Sequence, residues 1–183
     1  MTIRVATPDD AACFAAIYAP IVSGTHISFE EQAPNEAEMR ERIAATLKWT
    51  PWLAAALDDE IAGYAYASRH RERAGYRWSV DVSVYLDPRA RGRGIGRALY
   101  EKLFALLERQ RFRRAYAGIT LPNDASVALH RALGFIPIGV YRRVGWKAGA
   151  WHDVAWFGRD IGADGDDRNQ PAEPVPFPSI AAL

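Results

Sequence analysis

Cysteine and lysine are both scarce in this chain of 183 residues. The one cysteine, Cys13, excludes an intramolecular disulfide and is typical of a reducing compartment. Three lysines stand against 20 arginines, so planar guanidinium groups supply most of the positive charge. No hydrophobic run approaches the ~20 residues that span a membrane, and Met1 to Arg4 leads into a predicted strand rather than a signal segment. We therefore expect a cytoplasmic protein with no membrane partner.

The composition fits one ordinary globular domain. The chain has 23 basic and 22 acidic residues, and 49% of its residues are hydrophobic. A net charge of +1 argues against a dedicated nucleic-acid-binding protein, which is usually strongly basic. At this length one core buries roughly 70% of the unfolded surface, so no covalent staple is needed. His26, His70 and His152 lack metal-ligand spacing, and no metal site is expected.

Apolar periodicity predicts alternating strands and helices in residues 1–161. Strands are predicted at 3–6, 52–57, 61–69, 76–86, 115–120, 136–144 and 151–157. Helices are predicted to begin after Thr7, after Asn35, at Ile95 and after a cap at Asn123 or Asp124. Cys13 is expected on the apolar side of the first helix, in the core. Residues 162–183 contain four prolines and little periodicity, which predicts an extended tail without a core of its own.

The most informative segment is the strand, basic glycine loop, helix and strand between residues 76 and 120. A crossover of this kind places the helix N-terminus beside the carboxyl end of the first strand. The unpaired N–H groups and the dipole of a helix N-terminus bind anions. The loop adds glycines that let the backbone approach a ligand, and arginines that add charge: Gly92, Gly94, Gly96, Arg89, Arg91, Arg93 and Arg97. The segment therefore predicts a pyrophosphate site.

The loop fits neither of two common pyrophosphate motifs. Gly96-Arg97-Ala98 lacks the Lys-Ser/Thr of a Walker loop, and Arg97 stands where a dinucleotide fingerprint needs glycine. The pattern Arg91-x-x-Gly94-x-Gly96 instead resembles the acetyl-CoA loop of the GNAT family of N-acetyltransferases.

Further segments resemble one branch of that family, the phosphinothricin N-acetyltransferases. His130 stands where many family members have tyrosine, and this branch has histidine. Other matching segments are Trp52-Leu53, Tyr66-Ala67, Val84-Tyr85, Leu121-Pro122-Asn123-Asp124, Ala132-Leu133-Gly134-Phe135 and Trp151-His152-Asp153-Val154. The resemblance covers residues 3–160. It implies an α/β GNAT fold, with a mixed, mostly antiparallel sheet flanked by helices on both faces, and a homodimer.

The resemblance also implies the reaction and its residues. Acetyl-CoA is the expected donor and a small-molecule amine the expected acceptor, joined by direct attack of the amine in a ternary complex. Asp81 stands at the position of the branch's active-site glutamate, one methylene shorter, and is the expected base directly or through water; His130 is the second catalytic candidate. Expected acetyl-CoA contacts are Val84, Tyr85, Leu86, Arg91, Gly92, Arg93, Gly94, Ile95, Gly96, Arg97 and Asn123.

The acceptor site is expected between a basic loop and an acidic one. Arg71 and Arg77 match positions of the methionine sulfoximine-acetylating relatives, and Arg73 matches one in the phosphinothricin-acetylating relatives. Arginine there would bind an acidic group of the acceptor through two hydrogen bonds. Phe29 and Glu30 match the opposite wall. This mixture of features leaves the natural acceptor open.

Other functions remain open at this point. A non-catalytic acyl-CoA-binding module needs the phosphate loop but neither Asp81 nor His130. A peptide N-acetyltransferase needs an open groove without convergent arginines. Nucleic-acid binding is the least favoured alternative, because the net charge is close to zero.

Overall fold

A computed structural model describes residues 1–162 and 170–181 of the chain. Its elements are β1 (Thr2–Val5), α1 (Ala11–Gly24), α2 (Glu36–Leu47), β2 (Trp52–Leu57), β3 (Glu60–Arg69), β4 (Ser79–Leu86), α3 (Ile95–Arg109), β5 (Arg114–Thr120), α4 (Asp124–Ala132), β6 (Ile136–Lys147), β7 (Ala150–Asp160) and α5 (Pro178–Ala181). Within the described ranges, no helix is both long enough and apolar enough to cross a membrane.

One seven-stranded sheet organises the molecule. Its strand order is β1-β2-β3-β4-β5-β7-β6. β4 and β5 are parallel, whereas every other neighbouring pair is antiparallel. The two-residue turn between β2 and β3 places Asp58 and Asp59 at φ 48° and 66°, as a tight hairpin turn requires. The predicted mixed, mostly antiparallel sheet is confirmed.

Helices cover both faces of the sheet, as predicted. Because strand side chains alternate between faces, Leu53 packs into the core under α3, whereas Trp52 packs into the core under α1 and α2. The same alternation holds in β4. Val80 and Val82 are buried beneath α3, so Asp81 lies on the opposite face, on the side of α1 and α2.

Two local predictions are wrong. The strand predicted from Tyr76 begins at Ser79, because Ala74–Tyr76 forms a 3-10 turn before it. Cys13 is exposed rather than buried. The buried face of α1 is centred on Phe14 and continues one and two turns later, and Cys13 falls outside it.

The C-terminal segment packs against the domain. In the part of the segment that the structure describes, Phe177 and Ile180 are buried in the core under α3. The Gln110 side chain at the end of α3 donates hydrogen bonds to the carbonyl oxygens of Trp49 and Val175, at 2.6 and 2.8 Å. The segment therefore completes the main core instead of forming one. Residues 163–169 and 182–183 of the predicted tail lie outside the described ranges.

Candidate active site

The parallel strands β4 and β5 separate in the middle of the sheet. They pair only at Ser79–Arg114, Val80–Ala115 and Asp81–Tyr116. Beyond Asp81, β4 continues to Leu86 and β5 to Thr120, and no described pair joins the two strands there. The backbone edge of Val84, Tyr85 and Leu86 that faces β5 is consequently left for a ligand. An extended chain with amide groups could occupy this gap.

The glycine loop leads from that gap to the N-terminus of α3. Gly92 and Gly94 adopt φ of +73° and +76°, a region that favours glycine. The first bond of the helix runs from the N–H of Ala98 to the carbonyl of Gly94, at 3.1 Å. The N–H groups of residues 95–97 therefore have no partner within the helix and can bind an anion.

The arginines of the loop differ in their surroundings. Arg91 and Arg93 are exposed beside the N-terminus of α3. Arg97 donates to the carbonyl of Ala132 at 3.3 Å and lies 3.6 Å from the Glu101 carboxylate. Arg91 and Arg93 are thus the better placed of the three for a phosphate.

Gly96 fixes how closely α3 approaches β4 and α4. A Cβ at this position would lie 3.2 Å from Leu129 and 3.6 Å from Leu86. Ile95 is buried in the same core and anchors the first turn of the helix. Both residues therefore support the loop by packing.

Asn123 begins α4 on the other side of the gap. Its side-chain oxygen accepts a hydrogen bond from the N–H of Ser126 at 3.3 Å, which is an N-cap. This bond leaves the NH2 group of the amide available to a ligand.

Asp81 is the last β4 residue before the gap opens. Its Oδ1 lies 2.6 Å from Nδ1 of His70, which follows β3. Burial raises the pKa of Asp81, and the hydrogen bond from His70 opposes that shift. The carboxylate is thus half-buried and paired with an imidazole through Oδ1, and its Oδ2 makes no hydrogen bond within the described ranges.

His70 is the site residue that the sequence analysis missed. Its ring stacks on Tyr116 at a centroid distance of 4.5 Å and meets the ring edges of Tyr76 and Trp156 at 5.9 and 6.2 Å. The sequence carries a signal only in combination with the strand pairing, in which Ser68 pairs with Asp81 and His70 is two residues further along the same face. Reading it requires the strand register.

His130 is 3% exposed, between α3 and α4. Its Nδ1 lies 2.8 Å from the carbonyl of Ser126, and its Nε2 lies 3.2 Å from the hydroxyl of Tyr100. In the tautomer that fits both contacts, Nδ1–H donates and Nε2 accepts. Burial lowers the pKa of His130, against the hydrogen bond to Ser126. The geometry favours a neutral ring that ties α4 to α3, and the catalytic role stays a prediction.

In the wall opposite the basic loop, formed by Phe29 and Glu30, hydrogen bonds fix the Glu30 carboxylate. Arg42 binds both carboxylate oxygens of Glu30 at 2.9 Å, and the Tyr18 hydroxyl donates to one of them at 3.0 Å. Lys147 reaches across from β6 to the Glu30 carbonyl. Phe29 is 37% exposed and lies against Gly145.

The three candidate acceptor arginines have different partners. Arg77 forms two hydrogen bonds with Glu173, at 2.6 and 2.7 Å, and stacks on Trp78. Arg71 donates to the His70 carbonyl at 2.7 Å and lies 5.8 Å from the Trp156 ring. Arg73 is exposed. In the described residues, neither Arg71 nor Arg73 is paired with a carboxylate, so these two can bind an acidic acceptor.

Comparisons of the sequence and of the fold identify known relatives of this chain. The acetyltransferase (GNAT) domain model matches residues 3–156. A phosphinothricin N-acetyltransferase of Alcaligenes faecalis is 41% identical over 164 residues, or 88% of this chain and 83% of that protein. An L-methionine sulfoximine/L-methionine sulfone acetyltransferase of Salmonella typhimurium is 32% identical over 86% of this chain and 92% of its own length.

A solved structure shows the same fold with its ligand. The GNAT superfamily phosphinothricin acetyltransferase of Sinorhizobium meliloti, crystallised with acetyl-CoA, has a TM-score of 0.87 and 37% identity. The match covers 94% of this chain and 93% of that one. The chain therefore belongs to the GNAT acetyltransferase family, and it is an N-acetyltransferase.

Proposed function

We propose that this enzyme transfers the acetyl group of acetyl-CoA to the α-amino group of a small amino-acid-like acceptor of the phosphinothricin or methionine sulfoximine type. The observation that carries the proposal is the gap between β4 and β5. It joins a helix N-terminus suited to anions at one end to a half-buried carboxylate at the other, near Arg71, which has no carboxylate partner among residues 1–162 and 170–181. The named activities of the relatives support the same acceptor class.

The loop and the gap fit acetyl-CoA. Gly92 and Gly94 leave the space around a would-be Cβ open to 4 Å, which suits a pyrophosphate lying against the backbone. Arg91, Arg93 and the N–H groups of residues 95–97 would hold the phosphates. The free edge of residues 84–86 would pair with the pantetheine amides, and the Asn123 amide would contact the same arm. Acetyl-CoA supplies the activated acetyl group.

The acceptor must lose a proton before it reacts. The α-ammonium group of a free amino acid is mostly protonated at neutral pH, and only the neutral amine attacks a thioester. Asp81 faces the acceptor side of the sheet at the end of the paired region of β4. We propose that its carboxylate drives this deprotonation and that attack occurs directly in a ternary complex, without a covalent enzyme intermediate.

Arg71 is proposed to bind the acceptor's acidic group. Its hydrogen-bond and ring partners are a carbonyl oxygen and an indole ring, and it forms no ion pair with a carboxylate of the described residues. Its charge also acts on Asp81, where it favours the ionised carboxylate. A charge-assisted hydrogen bond contributes ~1.5–3 kcal/mol. Arg71→Met should therefore raise the acceptor KM about 10-fold to 100-fold. The exposed Arg131 on α4 gives the matched control, Arg131→Met.

The proposal is tested by thiol release from acetyl-CoA with a panel of acceptors. The panel contains phosphinothricin, methionine sulfoximine, methionine sulfone, ordinary amino acids, polyamines and a short peptide. Turnover confined to amino-acid-like acceptors, and lost in Asp81→Asn without loss of acetyl-CoA binding, is expected. Preference for the peptide would refute the acceptor class. Acetyl-CoA binding without turnover on any acceptor would identify an acyl-CoA-binding module.

We also propose that the enzyme is a homodimer. The β6–β7 hairpin at the edge of the sheet concentrates exposed large apolar side chains: Ile136, Ile138, Val140, Tyr141, Val144, Trp146 and Trp151. Several of these are more than half exposed, and monomeric proteins rarely leave such a patch uncovered. Sedimentation equilibrium at micromolar concentration should give the mass of two chains. A single-chain mass for the native enzyme would contradict the proposal.

A further inference from the structure

We propose that His70 is the proton acceptor of the reaction, with Asp81 as the carboxylate that orients its imidazole. This assignment rests on the proposed function, because it specifies how the acceptor amine loses its proton. It differs from the sequence-based expectation, in which Asp81 is the base directly or through water and His130 is the second catalytic candidate.

The hydrogen bond between the two side chains fixes which nitrogen of His70 can accept a proton. Oδ1 of Asp81 lies 2.6 Å from Nδ1 of His70, in the range of a charge-assisted bond. An ionised carboxylate only accepts, so Nδ1 carries the hydrogen. Nε2 then carries the lone pair, and it makes no hydrogen bond to the part of the chain that the structure describes. Nε2 is thus the basic atom of the pair.

The surroundings hold the imidazole in this orientation. The Tyr116 ring stacks against one face of the imidazole, and the rings of Tyr76 and Trp156 meet it edge-on at centroid distances of 5.9 and 6.2 Å. The His70 side chain keeps 13% exposure, so the ring is confined but still reachable. The titratable or charged groups that surround it are Asp81 from β4, Tyr116 from β5, Tyr76 from the preceding turn and the adjacent Arg71.

The pair also lies where the reaction must occur. Asp81 and Tyr116 form the last rung between β4 and β5, and His70 touches both. Aspartate is one methylene shorter than the glutamate that the family resemblance implies at this position. An imidazole bonded to the carboxylate extends the reach of the basic group by one ring. The added ring would thereby compensate for the shorter side chain of aspartate.

The proposed step conserves atoms and charge. Nε2 takes one proton from the acceptor ammonium, and Asp81 stabilises the imidazolium that forms. The free amine forms a C–N bond with the thioester carbonyl carbon, and the C–S bond breaks. The second proton leaves the nitrogen and ends on the thiol sulfur. His70 returns its proton to water, so one proton is released per acetyl group transferred.

The test compares His70→Gln with the wild-type enzyme in the pH dependence of kcat/KM for the acceptor. Glutamine can still donate a hydrogen bond to Asp81 but cannot take a proton at neutral pH. We expect kcat/KM to fall about 100-fold or more at pH 7. The deficit should shrink towards pH 10, where the amine is already neutral. His26→Gln is the matched control, because this histidine contacts the Pro122 carbonyl and lies outside the proposed pair.

Two further variants separate a base from a structural partner. Added imidazole should restore part of the activity of His70→Gly, because the aromatic surroundings leave a ring-sized space. The double variant His70→Gln with Asp81→Asn should be no slower than the slower single variant, since the two groups act as one unit. Acetyl-CoA affinity should stay within about twofold throughout.

The outcomes distinguish this proposal from the proposed function. A His70→Gln enzyme within about twofold of wild type, with an unchanged pH profile, would overturn the assignment and leave the proposed function standing. Absence of wild-type turnover on any amino acid would refute the proposed function instead. The tautomer still decides the assignment in that case: imidazole 15N NMR should find Nδ1 protonated and Nε2 bare, and a proton on Nε2 would overturn it.

Discussion

Gly94→Ala is the change that most directly tests the acetyl-CoA loop. Gly94 precedes α3 with φ +76°, and a Cβ there would meet nothing within 4 Å. The substitution therefore adds no steric clash. It adds only the cost of holding an L-residue in the left-handed region, which is ~1–2 kcal/mol.

The structure indicates where this cost appears. Gly94 is exposed and no side chain packs on the position, so apart from the helix bond that its carbonyl accepts from Ala98, little in the free protein keeps an alanine in the strained conformation. The loop can relax at little cost to stability. Binding must then restore the conformation that aims the N–H groups of residues 95–97. A cost of ~1–2 kcal/mol at that step corresponds to an affinity for acetyl-CoA about 5-fold to 30-fold weaker.

Calorimetric titration of acetyl-CoA, with thermal unfolding in parallel, measures both quantities. Gly149→Ala is the matched control, since Gly149 has φ +77° in the β6–β7 turn and also has nothing within 4 Å of a would-be Cβ. The control should leave acetyl-CoA affinity within about twofold. Equal affinities for Gly94→Ala and Gly149→Ala would refute the claim that the left-handed loop positions the phosphates.

Three other changes test the rest of the molecule. Gly145→Ala places a Cβ 2.3 Å from the Phe29 ring, which must move, so the acceptor KM should rise several-fold in steady-state assays. The control Gly139→Ala, whose Cβ would have nothing within 4 Å, should leave the acceptor KM unchanged. Burial lowers the pKa of His130 below its unfolded value of about 6.5, so its contribution to stability is present above that pH and is lost as the pH falls. In urea unfolding between pH 5 and 8, the free energy of unfolding of His130→Gln should therefore depend less steeply on pH than that of the wild type. An unchanged slope would contradict this. Phe177→Ala empties a core position in the C-terminal segment and should lower the free energy of unfolding by ~3–5 kcal/mol; a loss below ~1 kcal/mol would show that the segment contributes little.

The parts of the site that depend on neighbouring residues could be predicted from the sequence. The glycine loop and the start of α3 follow from residues within one short segment, because backbone freedom and unpaired helical N–H groups are local properties. The capping box at Asn35 and Glu38 is another example, and both of its hydrogen bonds are present at 3.0 and 2.8 Å. Local rules place these features without knowledge of the sheet.

The pairing of His70 with Asp81 could not be predicted in that way. The two residues are 11 positions apart, on either side of a loop whose conformation sets the register of β3 against β4. A shift of one residue would turn His70 to the other face of the sheet. Cys13 shows a similar limit, because the apolar pattern of α1 does not define the edge of its buried face.

The C-terminal segment shows how distant parts of the chain help to set the geometry of the site. Glu173 binds the Arg77 guanidinium through both carboxylate oxygens, and the Ala172 carbonyl accepts from the Trp78 indole at 3.0 Å. Trp78 directly precedes β4, three residues before Asp81, and its carbonyl accepts from the N–H of Arg113 at 2.8 Å. The segment thus secures the entry of the strand that carries Asp81. The segment lies beyond the residues 3–156 that match the family model, so part of the support for the start of β4 comes from sequence outside that matched range.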